Sequence, residues 1–427
     1  MTAWLGGRAF TVAEVVVTGT AALVVLVSIG IQTHNVWLDP QLALAFGVFI
    51  ALGELARVNL PDGGFAVPLA SAGALAYALV GDFAGQPTHY TAAQVVVVTA
   101  IAMSLGSLPY LAAGKPTQPD ALARRVIMVA LVAAVYRPLY GHWAASGHMP
   151  REYFPPIAMV VVVLAAAGVD AVLAAWTRSA RDRSPYLTAL RDEVGALFGI
   201  GTAIGSTGIL IALASVVMGI WALPVFAIPL VIAQFSLRRF AVIRQTHRQT
   251  IQALSRVTEV GGYTDTGHSW RVSELGKAVG RELGLTSRDL FDLEQAALMH
   301  DIGQLSLPDP IPGGATTMAS GEEQRAIAER GAEVIRATGA LTRVADIVAC
   351  QAEPYRRPGE PVDASIPLAS RIIRVVNAYD DLAGGSLESE RRLDALDQLR
   401  LNMAYDYDPT IVDCLTRVVG RTTFSNA

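Results

Sequence analysis

In the stretch "QAALMHDIGQLSLPD", Gln295 to Asp309, an apolar helical run ends on the pair His300 and Asp301 and then breaks into Gly, Gln and Pro. An imidazole beside a carboxylate is a donor set for a divalent cation, and a cation held that way polarises a phosphate oxygen or activates a water. The same pair can also persist without metal, hydrogen-bonded across a helix bundle, because buried polar groups need partners. The residue types alone leave both readings open.

The elements that must position this pair lie in a chain of unusual composition. Of 427 residues, 52% are hydrophobic and 16% charged, whereas charged residues make up about a quarter of an ordinary soluble protein. The charge is uneven: long stretches of the first 240 residues carry no ionisable group, and the rest reads as a soluble domain. Two parts with different solvents follow. Cys350 and Cys414 show no CxxC or CxxH spacing, so neither a disulfide framework nor a zinc ribbon is implied, and a reducing setting suits them. A net charge of -4 without a Lys/Arg stripe argues against a nucleic-acid polymer as partner.

Apolar runs of roughly 17 to 25 residues, the length that crosses a bilayer, fall near 13–32, 40–56, 65–81, 93–113, 124–141, 155–176, 196–218 and 220–237. They predict a polytopic membrane domain of about eight spans over residues 1–237, the last two joined as a hairpin through "GIWALP". The loops "QTHNVWLD", "GDFAGQPTHY" and "IWALP" lack Lys and Arg, while the alternate loops hold Arg57, then Lys115, Arg124 and Arg125, then Arg178, Arg181, Arg183 and Arg191; Arg151 is discordant. Cytoplasmic loops collect Lys and Arg, so a multi-pass protein of the cell membrane with both termini cytoplasmic is expected. Within the spans Glu54, Arg137 and Asp170 need partners. Glu54 and Arg57 are expected to snorkel from a helix end, and Asp170 to face the bundle interior. Gly199, Gly201, Gly205 and Gly208 predict close helix packing in the seventh span.

Residues 238–260 read as a connector helix. Phe240, Ile243, His247, Ile251, Leu254 and Val257 approach a 3-4 alternation, a short coiled-coil seam through which a homodimer could form. Beyond it, 261–427 shows helical periodicity throughout and no alternating strand pattern of useful length, so this cytoplasmic domain is expected to be all-α. Thr286 is placed to cap the helix that leads to His300.

Three ordered segments carry a resemblance: "YTDTGHSWRV", "ALMHDIGQLSLPD" and "IPLASRIIRVVNAYDDL". Over about 255–420 they resemble the HD superfamily, and within it the HD-GYP branch of cyclic di-GMP phosphodiesterases. The resemblance implies an all-helical HD-type domain with a divalent metal (Mn, Fe or Mg), ligated here by His268, His300 and Asp301, with Asn377 in the place of a late metal-binding Asp and Asp380 nearby. Asp301 would be the catalytic carboxylate. It also implies further ligands that this chain lacks. Ile327 stands where a His is expected, Gln351 and Ala352 replace a His pair, the GYP signature is absent from "YRRPGEP", and Gln304 replaces a phosphate-binding Lys. The expectation is a membrane-embedded signalling protein whose degenerate HD-GYP-like domain binds a nucleotide or a protein. The alternative is an active metal-dependent phosphohydrolase acting on a nucleotide or cyclic di-GMP. The lipid bilayer and a cyclic dinucleotide or nucleotide are the expected partners.

Overall fold

A computed structural model describes residues 10–59, 64–115, 118–146, 154–311, 315–386 and 388–425. The chain forms two compact units, one of Met1–Asp182 with Ala189–Arg244 and one of Arg183–Thr188 with Gln245–Ala427. The helices before Gly261 are α1 Val12–Thr33, α2 Pro40–Leu55, α3 Pro68–Leu79, α4 Ala92–Ala112, α5 Pro119–Ser146, α6 Phe154–Asp182, α7 Tyr186–Ala196, α8 Thr202–Met218 and α9 Ala222–Val260. Then come α10 His268–Glu282, α11 Ser287–Met299, α12 Gly321–Arg336, α13 Thr342–Ala349, α14 Leu368–Ala383, α15 Ser389–Leu401 and α16 Pro409–Ser425. Two antiparallel ribbons of two-residue strands, Val58–Asn59 with Phe65–Ala66 and Asp82–Phe83 with Gln86–Pro87, complete the described structure.

Each of the eight apolar runs is mostly helical, but among the described residues four helical stretches are long and apolar enough to cross a membrane: Val12–Thr33, Ala92–Ala112, Phe154–Asp182 and Tyr186–Val260. The difference from eight has a physical cause. At 1.5 Å per residue, the 12 residues of α3 reach about 18 Å and the 16 of α2 about 24 Å, short of a hydrocarbon core of about 30 Å. The fifth run, inside α5, carries Arg124, Arg125 and Arg137. The last stretch is broken at Gly219, whose φ of 55° ends α8 before α9 begins.

Glu54, Arg57, Arg137 and Asp170 all have partners within the protein. Glu54, only 2% exposed, takes two hydrogen bonds from Arg125 at 2.7 and 3.1 Å, so the expectation that it reaches the interface is wrong. Arg57 is buried as well, its guanidinium 3.3 Å from the centre of the Tyr110 ring. Burial of a charge is tolerated only with such partners. Asp170 accepts from Arg124 at 2.9 Å, a helix-to-helix ion pair that gives it a structural contact. Arg137 donates to Val80 O and Thr88 Oγ1, both at 3.1 Å, and lies on Tyr90. Of the four glycines of the seventh run, Gly205 and Gly208 do pack closely: added Cβ atoms would meet Val163 at 3.2 Å and Leu75 at 3.0 Å. Gly199 has nothing near it. Arg151 lies outside the described residues.

The second unit is an all-helical domain whose core joins Val272, Val279, Leu293, Ala297, Ile372, Ile373 and Val376, among others. Ile251 belongs to that core. The seam expected on α9 is therefore interrupted, since a residue committed to its own domain cannot also pair with a second copy; Leu254 and Val257 remain exposed.

Candidate metal centre

Three helices deliver the site, and local signals fix where each begins or ends. Gly267, at φ 76°, precedes α10, so His268 is its first residue. Thr286 accepts from Asp289 N–H at 3.3 Å and starts α11, which runs along an apolar face to Met299 and ends on His300. Asp301 then opens a 3-10 turn, Ile302–Ser306. Asn377 and Asp380, three residues apart on α14, share a face. The core between α10, α11 and α14 holds these ends together.

The buried side chains of His268, His300 and Asp301 converge. His268 Nε2 is 3.3 Å from His300 Nε2 and 3.3 Å from Asp301 Oδ2, and His300 Nε2 is 3.1 Å from Asp301 Oδ2. Asn377 Oδ1 lies 3.1 Å from His300 Nε2, while its Nδ2 donates to Thr316 Oγ1 at 3.1 Å. Ligands about 2.1 Å from a single ion stand about 3.0 Å apart at right angles and about 3.4 Å at tetrahedral angles. The spacing therefore fits one cation.

The outer nitrogens support the same fit. His268 Nδ1 faces Asp380 Oδ2 at 2.8 Å and His300 Nδ1 faces Ala297 O at 2.8 Å. Both partners only accept, so each Nδ1 carries the proton and each Nε2 can present a lone pair inward, the arrangement metal-binding histidines use. Burial alone would lower the His268 pKa, but hydrogen bonds to Asp301 and Asp380 overcome it and push it up to about 10. His300 is raised too, burial being outweighed chiefly by the Asp301 charge. Burial opposes ionisation of Asp301, yet the charge of His300 and the close approach of both imidazoles hold its carboxyl well below the usual range. Asp381, on the next position after Asp380, is pushed up to about 6, mainly by burial.

The positions where the resemblance called for further imidazoles hold none. Ile327 is buried on α12, its carbonyl against Gly303. Gln351 donates its amide N–H to His300 O at 2.6 Å, and Ala352 has no donor atom. Gln304 is fully buried, with neither amide atom hydrogen-bonded among the described residues. Glu353 pairs with Arg357 at 3.0 Å. Reading the sequence missed Arg271, which grips Asp380 through two bonds of 2.8 Å, and Thr316. Arg271 had a signal, since it sits one helical turn after His268; Thr316 had none.

Comparison with known proteins agrees with this geometry. Residues 238–411 match the family described as HD domain. Over 194 residues the chain is 30% identical to the cyclic di-GMP phosphodiesterase response regulator RpfG of Xanthomonas campestris pv. campestris (strain 8004), covering 41% of this chain and 49% of that protein. The chain thus spans about half the length of the relative it matches. An HD domain of HD-GYP-like kind occupies the C-terminal part of the chain.

Proposed function

We propose, from the HD domain at residues 238–411, that this chain is a membrane-embedded signalling protein whose domain holds one divalent ion, has lost turnover of cyclic di-GMP, and acts by binding a nucleotide or a protein partner. The observation that carries this reading is the contrast within the site. One ligand set is complete enough for a single ion, His268, His300, Asp301 and Asn377, while Ile327, Gln351 and Ala352 provide no imidazole for a second. Two nitrogens among the donors favour a transition metal such as Fe or Mn over Mg. Such an ion, when bound, would polarise a phosphate and lower the pKa of a water. In-line attack on a phosphodiester, however, needs the attacking and leaving oxygens both held, which is what a metal pair provides.

A second reading keeps the enzyme. The donor spacing itself favours it, because a site merely left over would have no reason to keep four inward-facing acceptors. In that case the domain is a metal-dependent phosphohydrolase working with one ion. Purified full-length protein should take up close to one equivalent of Mn per chain and show no measurable hydrolysis of cyclic di-GMP in its presence. Metal-dependent turnover that disappears in both His300→Ala and Asp301→Ala would replace the first reading with the second. Uptake of two equivalents would contradict both.

The division into a membrane domain at 1–237, a connector at 238–260 and the HD domain from 261 belongs to this proposal, as do the crossing of the membrane by the long apolar helices and the cytoplasmic location of both ends. The Lys/Arg asymmetry of the loops supports the topology. A reporter active only outside the cytoplasm, fused after Ala427, should be silent. Strong activity there would place the HD domain on the other side.

A further inference from the structure

We infer that Arg271 and Asp380 set the tautomer of His268 and thereby decide whether its Nε2 can hold an ion; this rests on the metal-centre reading above. Asp380 Oδ2 is 2.8 Å from His268 Nδ1 and 2.8 Å from Arg271 Nη2, and its Oδ1 is 2.8 Å from Arg271 Nε. Both carboxylate oxygens are thus committed to accepting. A guanidinium has donors only and keeps its protons. Nothing at position 380 that donates fits against it. With Asp380 held as a pure acceptor, His268 must carry its proton on Nδ1, and the lone pair stays on Nε2, facing His300 and Asp301.

The chain makes room for this device. Arg271 Nη1 donates to Thr266 O at 2.8 Å. A Cβ on Gly385, at φ 63°, would lie 2.9 Å from the guanidinium carbon, and one on Gly267, at φ 76°, 3.3 Å from Nη1. Two positive-φ glycines, one before α10 and one after α14, therefore border the guanidinium, and at each a side chain would be strained in any case. The neighbouring Asp381 cannot stand in for Asp380. Its Oδ1 is 3.9 Å from His268 Nδ1, beyond hydrogen-bond reach, and its carboxylate takes the Thr317 hydroxyl at 2.9 Å. Arg271 and Asp380 are positioning residues here, since neither faces the ion.

The test uses the full-length protein, with Mn2+ affinity read from the magnetic-resonance signal of the free ion and coordination read from the visible absorption of Co2+. Asp380→Asn keeps the shape but introduces an NH2 that faces Arg271 Nε in one orientation, and both Arg271 Nη2 and His268 Nδ1 in the other. The second arrangement moves the histidine proton to Nε2. Mn2+ affinity should fall about 10–100-fold, the usual cost of losing an outer partner of a metal-binding histidine. Combining it with Arg271→Ala frees the amide to turn its oxygen to Nδ1, and at least about tenfold of the loss should return, with the Co2+ spectrum restored. Independent structural damage would instead add. An Asp380→Asn protein that binds like wild type, or a double variant no better than Asp380→Asn, overturns the inference while leaving the metal centre standing. Should Asp380→Asn fail to fold, Gly385→Ala carries the same test: affinity should drop about tenfold as the guanidinium is displaced, and an unchanged affinity overturns it. Wild type that takes up neither ion removes the metal centre and this inference together.

Discussion

Asp301→Ala abolishes divalent-ion binding by the full-length protein: the expected loss of Mn2+ affinity exceeds the 10–100-fold that an outer-sphere change costs. Asp301 supplies the only carboxylate of the set, its Oδ2 3.1 Å from His300 Nε2 and 3.3 Å from His268 Nε2. Without it the remaining donors, two imidazoles and the Asn377 amide, are neutral. A dication would then sit in a buried site with no carboxylate among its ligands, which desolvation strongly disfavours. Asp301→Asn, which preserves shape and one oxygen, should lose nearly as much, and so separates charge from packing. His300→Ala should also abolish binding, because no other imidazole is placed to replace it among the described residues. Thermal unfolding with and without Mn2+ is a direct check, since a ligand at a hundred times its Kd stabilises the folded state by about 2.7 kcal/mol. The wild type should show a Mn2+-dependent rise in Tm, and the variants none. A variant that kept the full rise would place the ion elsewhere.

Gly303→Ala should destabilise the HD domain by about 3 kcal/mol or more, at the upper end of what overpacking costs. A Cβ there would fall 2.0 Å from Ile327 O and 2.8 Å from Gly331 N. Both are backbone atoms of α12, so no side chain can rotate to relieve the contact. The site turn Ile302–Ser306 and α12 approach so closely because Gly303 and Gly331 meet without side chains: Gly331 in turn would place a Cβ 3.2 Å from Gly303 N. Separating them would tilt the turn that carries Asp301, and Mn2+ affinity should fall along with stability. Denaturant unfolding of the variant gives the first quantity and metal titration the second. A Gly303→Ala protein with wild-type stability would mean that α12 can shift freely, and the account of this packing would fail.

The close approach at Gly303 also explains why substitution at 327 says less about chemistry than the sequence suggests. On α12, Ile327 contributes its backbone to the contact with the turn and its side chain is buried. Nothing on that helix directs a ligand atom inward from this position. The donors that converge come from the start of α10, the turn after α11 and α14.

Several features of this protein were determined by sequence alone, because they depend on neighbours along the chain. Helical spacing of apolar residues, the Thr286 cap and the glycines at 267 and 284 specify where α10 and α11 begin and end, and hence that His268 starts one helix and His300 ends another. The apolar runs specify helices in the first half for the same reason. Whether a buried charge is solvated or paired is not a local property. Glu54 meets Arg125 from 71 residues away, and no spacing rule connects them, so snorkelling was the natural expectation. Ile251 fits a seam by periodicity, yet only the packed domain decides which side of a helix is already covered. The metal centre divides in the same way. Residue types made His268, His300 and Asp301 candidates, but the inward lone pairs depend on Asp380, 112 residues from His268, and on Arg271 filling the space beside Gly385. Helix packing decided the orientation of each imidazole, because a hydrogen bond fixes a ring only once both its partners have been brought within about 3 Å.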